Sequence, residues 1–115
     1  MIFGYKSLLK PQEDESLIIK NHINAFLNTS LKEILDSNQV TELVVIGAMS
    51  HMCVDTAVRA ASDFGYKVKV IHDACETLYL EFNGVKVPDG HVHATLIATF
   101  EFAYAQVIST EDYVS

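Results

Sequence analysis

The chemistry-bearing feature of this chain is a cysteine placed after a short apolar run, a glycine and a tight turn: Leu43-Val44-Val45-Ile46-Gly47-Ala48-Met49-Ser50-His51-Met52-Cys53-Val54. The run is rich in β-branched residues and stops at Gly47; an amphipathic pattern starts at Cys53. A thiol at a strand-to-helix junction meets backbone N–H groups that lack an intrahelical partner, together with the positive end of the helix dipole. Both favour thiolate, the attacking species in cysteine catalysis. The N–H groups of Met49 and Cys53, in the same turn, could form an oxyanion hole over a carbonyl substrate. A free cysteine is also commonly a small buried hydrophobe, so on the residues alone both readings stay open.

Lys20 closes the apolar trio Leu17-Ile18-Ile19. An exposed strand-end lysine is the plain reading. Held beside Cys53, its ammonium would stabilise thiolate and could donate a proton to a leaving group. His51, His72, His91 and His93 fit no compact metal motif, since HExxH is absent and no CxxC accompanies them. His91 and His93 stand two apart on a predicted helix and so cannot share a face; no metal is expected. GxGxxG and GxxxxGK are also absent, which removes nucleotides and leaves no cofactor expected. Asp73 is expected to hydrogen-bond loop backbone and Cys75 to be packed. Phe100, Phe102 and Tyr104 read as core or oligomer contacts.

The elements that must position these residues alternate between strand and helix. Residues 17–20 make a brief strand candidate. Thr29 and Ser30 offer N-caps, and Ser30 with Glu33 makes a capping-box pair, for a helix ending near Asn38. Residues 43–47 are too short and too β-branched for a lone helix and read as a buried parallel strand. Val54, Ala57, Val58, Ala61 and Phe64 then recur at helical spacing, with Gly65 as the C′ residue. A strand at 68–71 follows. An irregular stretch from 75 to 88 contains Asn83-Gly84, a strong hairpin-turn signal. A last helix runs from Asp89 or Gly90 to about Tyr104, and residues 105–109 make a final strand. This order predicts an α/β fold: a three-layer, mainly parallel, doubly wound, Rossmann-like sheet. Ligands of such sheets bind at the carboxyl ends of the strands. Lys20, residues 47–53 and residues 73–77 all fall at such ends and should converge.

At 115 residues the chain fits one domain, 1–115, able to bury roughly two thirds of its unfolded surface. A formal charge of −7, from eight basic and fifteen acidic residues without a local basic cluster, argues against nucleic acid and against a polybasic membrane contact. No stretch reaches the roughly 18 to 20 apolar residues of a membrane helix. The apolar part of residues 1–10 is too short for a signal peptide. Two cysteines do not make a disulfide scaffold, and a cytoplasmic location with reduced thiols is expected.

The pattern Gly47-Ala48-Met49-Ser50-His51-Met52-Cys53-Val54-Asp55 after a strand, then Thr56 through Gly65-Tyr66, then Val70 through Asp73-Ala74-Cys75, resembles the isochorismatase-like cysteine hydrolases, a superfamily that includes nicotinamidases. The likeness extends upstream through Ile19-Lys20, Ala25-Phe26, Thr29 and Leu31. Downstream it runs through Phe82-Asn83-Gly84-Val85, Val92-His93-Ala94 and Val107-Ile108-Ser109-Thr110. It implies that Cys53 is the nucleophile, that Lys20 is the family's lysine, and that the Ala48–Met49 peptide is cis. The implied reaction is attack on a small amide or related C–N bond, release of ammonia or amine, and hydrolysis of a thioester. In the isochorismatase branch a vinyl ether is cleaved instead. Phe26, in the lysine segment, and His51, in the cysteine turn, are the expected substrate-binding residues, for a small-molecule substrate.

The resemblance also implies what the chain lacks. Family members begin with an apolar strand ending in the aspartate that acts as general base, and the following segment supplies metal ligands in nicotinamidases. Nothing before Lys20 matches, and Asp14 sits in a polar stretch. The chain thus resembles the family's C-terminal two thirds, short of at least one βαβ unit of roughly 30 or more residues. The family's sheet order, 3-2-1-4-5-6, makes residues 17–20 its third strand and 43–47 its fourth. The expectation is that Lys20 loses its place beside Cys53 or that the chain rearranges. The apolar edge at 43–47 would need cover by rearrangement, by a second copy, as in a homo-oligomer, or by a separate chain or missing N-terminal segment. Alternatives to a hydrolase are a catalytically silent fragment or assembly module of that fold, and a flavodoxin-like binding domain.

Overall fold

The computed structural model describes residues 12–115; the stretch 1–10, considered above as a signal-peptide candidate, lies outside the described residues. In chain order the elements are α1 (Leu31–Ser37), β1 (Glu42–Ala48), a π-helical turn (Ser50–Val54) continuing into α2 (Asp55–Asp63), β2 (Lys67–Glu76), β3 (Leu80–Phe82), β4 (Val85–Val87), α3 (Asp89–Ala103), β5 (Gln106–Ile108) and α4 (Thr110–Val114). Among the described residues, β1, β2 and β5 form a parallel sheet in that order, and β3 and β4 form an antiparallel hairpin. This is the expected α/β arrangement of a parallel sheet with helices.

Period-two alternation places Leu43 and Val45 of β1, and Val68 and Val70 of β2, on one face of the sheet. There they pack with Val54, Val58 and Ala61 of the turn and α2, and with Phe100 of α3. Val58, Val70 and Phe100 are completely buried. The opposite face carries Lys69, which lies near Tyr113 of α4, and it leaves Val44 and Ile46 exposed at 40% and 60%. Among the described residues β1 pairs with β2 alone.

The β1–β2 ladder is irregular where it matters. Val45 pairs with Val70 and Gly47 with Cys75, so two steps along β1 are matched by five along β2. Such a bulge re-aims backbone groups at a strand end. Here it sets the Glu76 carbonyl beside Ser50 of the turn that follows β1 and the His72 carbonyl beside His93 of α3. Gly47 takes φ +137° with nothing within 4 Å of where a Cβ would stand, so its backbone angle, not crowding, requires glycine. At the hairpin, Asn83 and Gly84 both have positive φ, 51° and 79°, as a tight two-residue turn demands.

Several local expectations are corrected. Residues 17–20 form no strand, because a strand needs a ladder and none of the described strands pairs with them. They still alternate: Ile18 and Lys20 are buried while Leu17 and Ile19 are exposed. The Ser30 side chain makes no cap. Of the two candidate caps it is Thr29 that serves, its hydroxyl accepting from the Leu31 N–H at 3.3 Å and donating to the Ala25 carbonyl at 2.6 Å. β2 runs on to Glu76, beyond the expected end at 71. Helix α4 was not anticipated; Ser109 Oγ caps it by accepting from the Asp112 N–H at 3.1 Å.

Candidate active site

Cys53 lies inside the helical turn, one step later than a residue that merely precedes a helix. The β-branched run Leu43-Val44-Val45-Ile46 builds β1, Gly47 ends its regular pairing, and the turn Ser50–Val54 begins directly. The Met49 carbonyl accepts from the N–H groups of Met52 at 3.0 Å and Val54 at 3.3 Å, which closes the turn around Cys53. The Ala48–Met49 peptide is cis. Cys53 is partly exposed and Cys75 is buried, and both are free thiols.

Lys20 does not lose its place. Its ammonium donates to Cys53 Sγ at 3.0 Å and also to the carbonyls of His22 at 2.8 Å and Ile23 at 3.2 Å. The side chain is only 8% exposed. A buried ammonium requires acceptors around it, and local backbone supplies two of them while the sulfur supplies a third. The segment is anchored by burial of Ile18 and Ala25 on either side, which is why it holds its position without a ladder. Among the described residues, no carboxylate is hydrogen-bonded to Cys53.

His51 and Ser50 tie the turn to the end of β2. His51 Nδ1 lies 2.6 Å from Thr77 Oγ1. Ser50, completely buried, lies 2.8 Å from His93 Nδ1 and 3.3 Å from the Glu76 carbonyl. The predicted convergence of Lys20, residues 47–53 and residues 73–77 is therefore present. The Phe26 ring packs edge-on against Phe64 at 5.2 Å and stacks on Tyr66 at 6.5 Å, residues that follow the C-terminal end of α2. With Tyr66 it lies against the core.

The remaining titratable groups near the site do other work. Burial pushes the Cys75 thiol above its ordinary value, with a hydrogen bond from the Gly47 backbone opposing. The hydroxyl and then the backbone N–H of Thr110, each 2.8 Å from Asp73 Oδ1, hold that carboxyl below its ordinary range. Asp55 accepts from Arg59 Nε at 2.7 Å on the helix surface. Among the described residues, no three His, Cys, Asp or Glu side chains are grouped to hold a metal ion, and no helix is long and apolar enough to cross a membrane. A cleft of about 340 Å³, lined by Cys75, Glu76, Thr77, Asp89, Gly90 and His93, borders the turn on the β2 side. A larger one of about 620 Å³ lies along β2 and the end of α3, away from the thiol.

Sequence reasoning missed Ser50 and His93 as a pair. In the sequence His93 reads as a metal-ligand candidate and as part of the Val92-His93-Ala94 match, with nothing that links it to Ser50. The signal that could have found the pair is a serine inside the cysteine turn together with a histidine one turn into a helix that starts near the same strand end.

The family model for the isochorismatase domain matches residues 5–112. YddQ of Bacillus subtilis, an isochorismatase family protein, is 42% identical over 106 residues, which is 92% of this chain and 59% of YddQ. Nicotinamidase 3 of Arabidopsis thaliana is 34% identical over 91 residues, 78% of this chain and 41% of that protein. The crystal structure of an isochorismatase hydrolase from Oleispira antarctica superposes with a TM-score of 0.88 at 48% identity, covering 90% of this chain and 55% of that one. The chain thus spans from two fifths to three fifths of the length of these relatives. A match along nearly the whole chain and a close structural likeness together place it: the chain belongs to the isochorismatase family.

Proposed function

We propose that residues 1–115 form a single-domain part of a cysteine hydrolase that cleaves a small amide or related C–N bond through a Cys53 thioester. The observation that carries this reading is the 3.0 Å contact between the Lys20 ammonium and Cys53 Sγ in a turn at the end of a parallel strand. Membership of a family that includes nicotinamidase 3 supports an amide over other carbonyl compounds.

The chain's own residues can be written through a balanced cycle. Cys53 thiolate attacks the amide carbonyl, and the N–H groups of Met49 and Cys53 receive the developing oxyanion. Lys20 gives a proton to the leaving nitrogen, so ammonia departs and the thioester forms. The neutral Lys20 amine then takes a proton from water, hydroxide attacks the thioester, and Cys53 leaves as thiolate. The carboxylic acid product releases its proton to solvent, and the ammonium–thiolate pair is restored. His51, held by Thr77 at 2.6 Å, is the substrate-binding residue proposed from the turn.

Among the described residues no carboxylate is hydrogen-bonded to Cys53 to serve as a base, and this favours a second reading in which this stretch is silent by itself. Exposed apolar residues Leu78, Tyr79, Leu80, Phe82 and Val85 around the hairpin, with Phe102 at 93% exposure, support assembly into an oligomer. p-Nitrophenyl acetate, with intact-mass analysis, separates the readings. A burst of p-nitrophenolate with acetyl on Cys53, followed by turnover, is the result expected of the hydrolase. A burst without turnover supports the silent reading. Absence of acetyl on Cys53 removes the nucleophile from both.

A further inference from the structure

We propose that His93 positions the oxyanion-forming turn, acting through the hydroxyl of Ser50; the inference rests on the reading of Cys53 as an acyl-accepting nucleophile. Its basis is a hydrogen-bonded chain across three elements. His93, on α3, has Nε2 3.0 Å from the His72 carbonyl and Nδ1 2.8 Å from Ser50 Oγ. A carbonyl oxygen can only accept, so Nε2 carries the proton. An imidazole that donates from Nε2 presents, in its neutral form, a lone pair at Nδ1, and the Ser50 hydroxyl therefore donates to Nδ1.

The geometry gives this bond leverage. Ser50 is completely buried, directly follows Met49, and opens the turn that contains Cys53. Its single hydroxyl proton cannot serve both Nδ1 at 2.8 Å and the Glu76 carbonyl at 3.3 Å. The His72 and Glu76 carbonyls both come from the bulged end of β2, so the imidazole decides which way the hydroxyl points. Remove Nδ1, and the hydroxyl turns to the more distant Glu76 carbonyl, carrying the Met49–Ser50 backbone with it. The N–H groups proposed to meet the oxyanion lie in that backbone and its continuation. Stabilisation of this kind depends on donors being held where charge develops.

Two probes separate positioning from thiolate formation. Acylation of Cys53 by p-nitrophenyl acetate passes through an oxyanion: the thiolate bonds to the carbonyl carbon and p-nitrophenolate departs. Alkylation by iodoacetamide displaces iodide at a saturated carbon and forms no oxyanion. In Ser50→Ala and His93→Gln, acylation should slow by about tenfold or more, less than the roughly hundredfold cost of removing an oxyanion donor because the donor is shifted and not lost. Alkylation should stay within about twofold of wild type. Gln retains a donor for His72 but no acceptor at the Nδ1 position. His93→Asn sets an oxygen there and should restore acylation to within about threefold of wild type. The double variant S50A/H93Q should be no slower than either single variant, because both cut one bond.

The role is overturned if acylation is unchanged in Ser50→Ala and His93→Gln, or if the double variant shows the product of the two losses. It is also overturned if alkylation falls in parallel or buried Cys75 becomes reactive, since either marks general loosening. A wild-type chain that is alkylated but never acylated at Cys53 removes the acyl-accepting reading and this proposal with it. Acylation of wild type at a rate equal to that of the variants removes only the role of His93.

Discussion

Lys20 and Cys53, 33 residues apart in the chain, meet with the ammonium nitrogen 3.0 Å from the sulfur. The lysine is 8% exposed and has backbone acceptors at His22 and Ile23. Replacing a whole buried ion pair by apolar groups is often neutral, whereas removing one partner leaves the other groups unserved. Lys20→Met takes a donor from the His22 and Ile23 carbonyls and should lower the thermal midpoint by several degrees, about 1 to 3 kcal/mol. An unchanged midpoint on thermal unfolding would show that this donor contributes nothing to the fold.

The two thiols should behave in opposite ways. Burial pushes the Cys75 thiol up, and the side chain is 6% exposed. Because its folded value is raised, the stabilisation linked to its neutral form is complete below the ordinary thiol value and is lost as pH rises through the folded value. Urea midpoints should therefore fall on the alkaline side, and Cys75→Val should flatten that slope. Peptide mapping after iodoacetamide at neutral pH should find Cys75 unmodified in the folded chain.

Asp73 should contribute stability of the opposite pH sense. Thr110 holds its carboxyl below the ordinary range through the hydroxyl and the backbone N–H. A depressed folded value gives stabilisation that is present above the ordinary carboxylate value and lost as pH falls through the folded one. Asp73→Ala should release α4, with amide exchange at residues 110–114 faster by up to about tenfold, the equivalent of one net hydrogen bond. Unchanged exchange there would show that packing alone holds α4.

Phe100 should be the most sensitive core position. It is fully buried where α3 meets Val58 of α2 and Val70 of β2. Phe100→Ala should cost about 3 to 5 kcal/mol, a large part of the stability of a small domain. Phe102, two residues on and 93% exposed, should tolerate alanine with little effect on urea unfolding of the monomer. Equal losses at the two positions would contradict the packing described.

Much of this was legible in the residues. The glycine after a β-branched run located β1 and the cysteine turn, and Asn83-Gly84 located the hairpin. Phe100 and Phe102 could not be separated, because a helix apolar on several faces does not say which face meets the sheet. The 17–20 segment alternates like a strand, but laddering depends on a neighbour that no local pattern reveals. The approach of Lys20 to Cys53 was expected from strand-end topology and resemblance, while its survival without a flanking strand was not. Ser50 with His93 was hidden for the same reason: their contact depends on the β1–β2 bulge, a register property invisible in either strand alone.

The most direct measurement of the central claim is the rate at which iodoacetamide modifies Cys53 at neutral pH. It should be followed by peptide mapping in the folded chain, in the urea-unfolded chain and in folded Lys20→Met. An ammonium held against the sulfur should make the folded rate roughly tenfold or more above the unfolded one, and Lys20→Met should abolish that excess. A Cys53 that reacts no faster when folded than when unfolded, or equally fast without the lysine, contradicts the claim that this pair is an activated nucleophile.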